Sequence, residues 1–310
     1  MSITLRAGRR ARAWNVGLGL WLALAAAPWV ARLAAYPYLV DIADRAALTA
    51  AAAISLQFLV GVAGLVSLGH AAFLGIGGYA ALAFAVGGAN EAALSLPAAV
   101  IGAASFAALT GLLALRTRGV TFIMITLAFA QMAYFIAQSF ELFGGSDGMP
   151  LDPPALLGTG LLRSPAALHG IALLALAACL VGAPRLTRSR FGRVLRAGTE
   201  SPARVIAAGF DLRAVRLRAY VLSGAAAGAI GWLLAEHAGF VSPAMMEWRV
   251  SGELLVMVIL GGTRTPEGAG LGAVGLVAAE EVLAAFTDHW RLLLAPVLIL
   301  IALRFGPRRP

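Results

Sequence analysis

Charged residues are confined to short intervals along this chain, and the stretches between them are almost wholly apolar. No Asp, Glu or Arg occurs between Arg45 and Glu91, between Arg118 and Glu141, or between Arg163 and Arg185. A helix needs about 20 apolar residues to cross a bilayer core, so the first gap holds two crossings. The pattern predicts ten transmembrane helices, at about 14–34, 46–66, 70–88, 92–115, 119–140, 165–184, 216–236, 250–263, 268–286 and 290–304. The expected fold class is all-α, a polytopic membrane helix bundle, with residues 1–310 forming one transmembrane domain. A membrane β-barrel would instead alternate polar and apolar positions in segments of about ten residues. Residues 1–30 also carry the basic start, the apolar run and the Ala25–Ala27 stretch of a cleavable signal peptide. The length of the run, with Pro28 and Trp29 as an interfacial end, favours a retained first span.

The segment LVSLGHAAFLGIGGYAALAF, 65–84, departs from a plain apolar helix. Only Ser67, Leu68 and Gly69 separate the second and third spans, which implies a very tight turn or a helix broken inside protein. Glycines 75, 77 and 78 permit close backbone approach, as do the GxxxG pairs Gly224/Gly228 and Gly268/Gly272. GVAGLVSLGHAAF at 61–73 also matches GAIGWLLAEHAGF at 228–240 in two glycines, a histidine, an alanine and a phenylalanine at constant offset. Five spans separate the two segments, so a true repeat would be inverted, 5+5, as in many transporters. Chance is the alternative in a chain rich in Gly and Ala.

Composition fits this reading: 60% of residues are hydrophobic, 13% are charged, and mean hydropathy is +0.86. All 24 basic residues are arginine. With no lysine, neither a P-loop nor a Schiff base can be built, so any ATP driving the protein is bound and hydrolysed by another polypeptide and no cofactor is expected here. With both termini cytoplasmic, nineteen arginines lie inside and five (Arg32, Arg45, Arg163, Arg249, Arg291) outside. That is the positive-inside pattern, so the net charge of +9 reports orientation in a bilayer and not nucleic-acid binding. Cys179, the single cysteine, lies in an apolar run and reads as a small core residue. No metal-ligand spacing and no nucleophile–base set stands out, which argues against an enzyme.

Residues 185–215 form the longest cytoplasmic interval. Ser201 as N-cap, Pro202 at the first helical position and Gly209 as terminator predict a short helix over about 202–208. It offers Val205 and Ile206 from a basic surround, either to a soluble partner or to its own bundle and anionic lipid.

Five blocks, in order, resemble the LivM-type permease subunit of branched-chain amino acid ABC transporters. They are SLQFLVGVAGLVSLGHAAFLGIGGYA at 55–80, LRTRGVTFIMITLAFAQM at 115–132, GGSDGM at 144–149, the stretch FGRVLRAGTESPARVIAAGFD with its continuation to 235, and SGELLVMVILGGTRTPEGAGLGA at 251–273. The resemblance implies an inner-membrane permease subunit without its own ATPase site. It implies pairing with a second permease, two cytoplasmic ATPases and an extracytoplasmic solute-binding protein. By the same likeness Glu200, Ser201, Pro202, Ala203, Val205 and Gly209 form the coupling segment that receives the ATPase stroke. Gln57, Ile206 and TRTPEG at 263–268 depart from the family pattern, which leaves the solute open among branched-chain amino acids, urea, short amides and other small polar solutes.

Other candidates carry two readings each. His70 is either a neutral imidazole bridging freed backbone groups at the break, with Ser67 as partner, or a gate on the translocation path. Ser55 and Gln57 either line that path or hydrogen-bond a neighbouring helix. Glu253 sits in the first turn of the predicted eighth span, as a helix-dipole partner or a path residue. Gly144, Gly145, Ser146, Asp147 and Gly148 are a binding-protein contact or an ordinary turn. The competing function is a self-sufficient ion-coupled secondary transporter, which would need paired carboxylates within the membrane; the acidic residues here fall mostly near predicted span ends.

Overall fold

In the computed structural model residues 15–152, 162, 164–286 and 296 are described. The predicted tenth span, apart from residue 296, lies outside the described residues, as do Arg163, Arg291 and the arginines of both chain ends. The helices are α1 Asn15–Ala25, α2 Ala27–Leu33, α3 Tyr38–Gln57, α4 His70–Val86, α5 Ala92–Ala114, α6 Val120–Ser139, α7 Pro165–Arg188, α8 Arg190–Glu200, α9 Pro202–Ala207, α10 Leu212–Ala238, α11 Trp248–Gly261 and α12 Pro266–Ala284. A two-residue antiparallel ladder pairs β1, Met149–Pro150, with β2, Phe240–Val241.

The protein is a helical membrane bundle. Five described helices are long and apolar enough to span a bilayer, six if the bent pair α1–α2 is one crossing. Among the described residues the predicted spans do not all recur as uniform crossings. The first predicted span bends by 42° between α1 and α2, where Pro28 lacks the N–H that would continue the ladder. The third is a 17-residue helix, α4, and the eighth is a 14-residue helix, α11.

α3 is the centre of the molecule. Its alanines at 46, 47 and 50–53 are all buried, and small side chains on several faces let α7, α10, α11 and α12 pack around it. The helix continues as a π-helical turn, Phe58–Ala63, and ends on Gly64 in the left-handed region, φ 66°. A residue without Cβ adopts that conformation at no steric cost. The second centre is α10, which packs chiefly on α4 and α5. A Cβ at Gly77 would fall on the carbonyl of Gly228, and one at Gly231 on that of Leu74. Only glycine allows this α4–α10 crossing.

The packing is reciprocal: α3 lies on α11 and α12 while α10 lies on α4 and α5. In each case a long helix is followed by a break, a short helix and a longer one. The two matching sequence segments do not share local structure, however. Residues 61–73 run through the π-turn and the break into α4, whereas 228–238 are continuous helix.

Candidate coupling surface and membrane-core site

The interval read as a basic loop at 185–215 is largely helical. α7 continues to Arg188, and α8 starts at once, with Ser189 Oγ accepting from Gly192 N at 3.2 Å. α9 is the predicted short helix, one residue shorter than expected. Ser201 occupies the N-cap position, but its side chain makes no cap bond. Pro202 starts the helix as expected, and Gly209 takes φ 83°. Glu200 belongs to the end of α8 and is exposed. Within α9, Val205 is buried and fixes the helix to the bundle, while Ala203, Arg204 and Ile206 face outward.

This segment is joined directly to the end of α3. Thr199 Oγ1 lies 3.2 Å from the carbonyl oxygens of both Leu195 and Val62 and can donate to either. A Cβ on Gly64 would meet Thr199 Cγ2 at 2.7 Å. Phe58 stacks on Phe191 with centroids 6.5 Å apart, and Arg216 Nη2 donates to Gly198 O at 3.3 Å. α8 therefore rests on the π-turn through a methyl, a hydroxyl and a ring, without an intervening flexible linker.

Beyond the π-turn the chain reverses. His70, fully buried, lies with Nε2 2.8 Å from Ser55 Oγ. Ser55 Oγ also donates to Ala52 O at 2.7 Å, so in that arrangement the imidazole Nε2–H donates to the hydroxyl. The partner of His70 is thus Ser55 and not Ser67, whose hydroxyl accepts from Gly69 N at 3.1 Å. The chain climbs from Ala63 back to the level of Ser55 before α4 begins, a rise of eight residues of α3, or about 12 Å. Leu68 N donates to Thr126 Oγ1 at 3.2 Å, and Ala71 N donates to Ser251 Oγ at 2.8 Å. Gln57 turns away from this cluster; its Nε2 donates to Thr263 O, in the α11–α12 turn, at 2.8 Å. Ser55 and His70 are therefore brought together, whereas Gln57 serves a helix–turn contact.

A second re-entry follows α10. Residues 243–246 form a helical turn whose Met246 packs with Ala72, Ala130 and Ala133. α11 then starts at Trp248. Glu253 is accordingly in its second turn, half-buried, and not in the first turn, so the expected dipole partnership is lost. Arg249, assigned outside from sequence, pairs with Glu247 at 2.8 Å beside this re-entrant turn.

At the opposite end of α3 the helix begins eight residues earlier than expected and takes Asp41, Asp44 and Arg45 with it. Asp44 Oδ1 pairs with His169 Nδ1 of α7, both buried. Arg45 pairs with Glu280 and Glu281 of α12 at 2.6 and 3.0 Å. The Asp44–His169 pair borders a cavity of about 960 Å³ that Arg32, Asp41 and His237 also line. Glu236 of α10 is buried, and neither carboxylate oxygen has a partner among the described residues. These acidic groups lie near helix ends, as the sequence pattern implies: Asp41 and Asp44 in the first two turns of α3, Glu236 in the last turn of α10, and Glu280 and Glu281 toward the end of α12. The Asp44–His169 and Arg45–Glu280/Glu281 pairings are not legible in the sequence, because the partners are far along the chain.

The 144–148 segment is a turn. Gly144, Gly145 and Gly148 all have positive φ, and Gly144 O accepts from the backbone N–H groups of Asp147 and Gly148. Ser146 and Asp147 are exposed at its tip. The turn leads into β1 and so is tied to β2.

Residues 38–303 match the family model described as the branched-chain amino acid transport system / permease component. The high-affinity branched-chain amino acid transport system permease protein LivM of Salmonella typhimurium is 30% identical over 298 residues, covering 86% of this chain and 70% of that protein. LivM of Escherichia coli is 29% identical with the same coverage. No solved structure matches. With the family model matching most of the chain, and its helices forming a membrane bundle, the protein belongs to the branched-chain amino acid transport permease family, as a multi-pass membrane transport subunit.

Proposed function

We propose that this chain is the inner-membrane permease subunit of an ABC importer, moving branched-chain amino acids with ATP hydrolysed by a partner. The observation that carries the reading is the direct seating of α8 on the π-turn of α3 through Thr199. In this reading two cytoplasmic ATPases engage α9, at Ala203 and Ile206, and displace α8 with it. α8 pushes on Val62 and Gly64, and the π-turn passes the motion to the break at 64–69 and the Ser55–His70 bond. A π-turn is a weaker helical arrangement than its α-helical neighbour and recurs at functional sites, so it suits a joint that changes shape.

The arginine distribution supports a cytoplasmic position for the α8–α9 end and for both termini. The 144–148 turn then lies outside, where Ser146 and Asp147 suit contact with a solute-binding protein. A second permease of similar fold completes the path, and the reciprocal packing of α3 and α10 supports a ten-helix, inverted 5+5 arrangement. One observation favours the ion-coupled alternative: the buried Asp44–His169 pair and Glu236, without a partner among the described residues, are groups of the kind such carriers use. Family membership outweighs it.

The test is co-purification of the tagged chain from its native operon in mild detergent, followed by ATPase assay. An ATPase and a second permease in the eluate uphold the reading. A chain that elutes alone contradicts it. In the assembled complex, Gly209→Val is expected to abolish uptake, because its φ of 83° disfavours a β-branched residue while no neighbour lies within 4 Å to clash.

A further inference from the structure

The Glu247–Arg249 pair lies close to the middle of the membrane-spanning bundle. Two rulers agree on this. Ser251, two residues on from Arg249, bonds Ala71 N, next to His70, which bonds Ser55. Ser55 is about 7 Å from the midpoint of the Tyr38–Ala63 span. On the other side Met246 lies against Gly75, five residues into α4 from His70, and shares a cluster with Ala130, Ala133 and Ala137 of α6, Val120–Ser139. Residues 247–249 fall between these two levels. At this depth the Arg249 side chain is 52% exposed and that of Glu247 29%.

Exposed side chains on nearby α6 are what acyl chains require: Met132, Phe135 and Ile136. A charged pair at the same depth is not, since ionised groups at mid-membrane face a cavity or a polar partner. The half-buried Gln131 of α6 carries a further donor, Nε2, without a partner among the described residues. Half-buried Glu253 follows one to two turns further along α11.

We propose that Glu247 and Arg249 form a mid-membrane station for a zwitterionic α-amino acid, Arg249 taking the carboxylate and Glu247 the primary ammonium. The station rests on the permease reading and gives its cargo a site. A local pair two residues apart can open and close on a zwitterion by exchanging partners, so no net charge is stranded at mid-depth. Arg suits the carboxylate, because its planar fork presents paired donors. A neutral solute such as urea gains nothing from this exchange. The site therefore selects zwitterions over uncharged amides.

The test uses the full complex in proteoliposomes, with Cys179→Ala and Trp248→Cys introduced so that one thiol flanks an intact pair. Labelling by a membrane-impermeant cationic methanethiosulfonate is followed with leucine or leucinamide present. Leucinamide keeps the ammonium and lacks the carboxylate. The site predicts labelling that leucine slows about tenfold or more better than leucinamide, the worth of one charge-assisted bond. Adding Arg249→Gln should abolish that preference, a change that loss of packing alone would not produce. No labelling means that lipid or the partner permease covers the pair, and the site falls. Labelling that leucine does not slow also overturns it. If the wild-type complex takes up leucine with ATP, yet the Trp248→Cys complex shows neither effect, the site alone falls. Wild-type complex without ATP-dependent uptake sinks the permease reading and the cargo assignment with it.

Discussion

Gly64→Ala tests the joint between the coupling segment and α3. Two costs arise at once. The left-handed conformation, φ 66°, costs an alanine about 1–2 kcal/mol. The new Cβ also meets the Thr199 methyl at 2.7 Å, well inside van der Waals contact, and overpacking of this kind costs about 1–3 kcal/mol. The single variant is therefore expected to lose about 2–5 kcal/mol of stability. Thr199→Ser removes the methyl but keeps the hydroxyl near Val62 O, 3.3 Å from the new Cβ, so in that background most of the steric share is lost and the cost falls toward about 1–2 kcal/mol. Unfolding midpoints of the four proteins in a detergent titration give the coupling energy, and ATPase assays of the complexes show whether the joint transmits motion. Separate effects that add within about 0.5 kcal/mol would refute the claim that Thr199 rests on Gly64.

Ser55→Ala should cost about 1–3 kcal/mol, because it leaves the fully buried His70 without its hydroxyl partner; thermal unfolding followed by tryptophan fluorescence measures it. Asp44→Leu should cost about 1–3 kcal/mol by leaving the buried His169 Nδ1 without its partner, whereas the double variant Asp44→Leu/His169→Leu should recover part of that loss, read from the same melts. Gly231→Val should prevent the α4–α10 crossing, since its Cβ falls on Leu74 O; the expected outcome is protein missing from the membrane fraction, and a normal yield with unchanged melting would count against the packing described.

The long apolar runs made most helices legible, because period and length suffice where lipid is the solvent. Errors arose where charge was read as a boundary. The second span was started after Arg45, yet α3 begins at Tyr38. The charged groups there are partnered by His169, Glu280 and Glu281, residues over a hundred positions away that local reading cannot supply. Arg249 was placed outside by the same logic, which assumes that connections lie at the surface, whereas 243–246 re-enter the bundle. The break before His70 was legible from its glycines, but not which hydroxyl the imidazole would meet: Ser67 is nearer in sequence, and the climbing chain brings Ser55 level instead. α8 escaped notice because its arginines mask a helix that packs through Leu195 and Gly198. α9 was found because its start and stop are coded by single residues, Pro202 and Gly209.

The most direct measurement is leucine uptake into proteoliposomes holding the complex purified from the native operon, with ATP trapped on the ATPase side or withheld. The account predicts uptake only with ATP, and none when Gly209→Val is present in an otherwise intact complex. Accumulation of leucine by this chain alone, driven by an ion gradient without ATP, would contradict it.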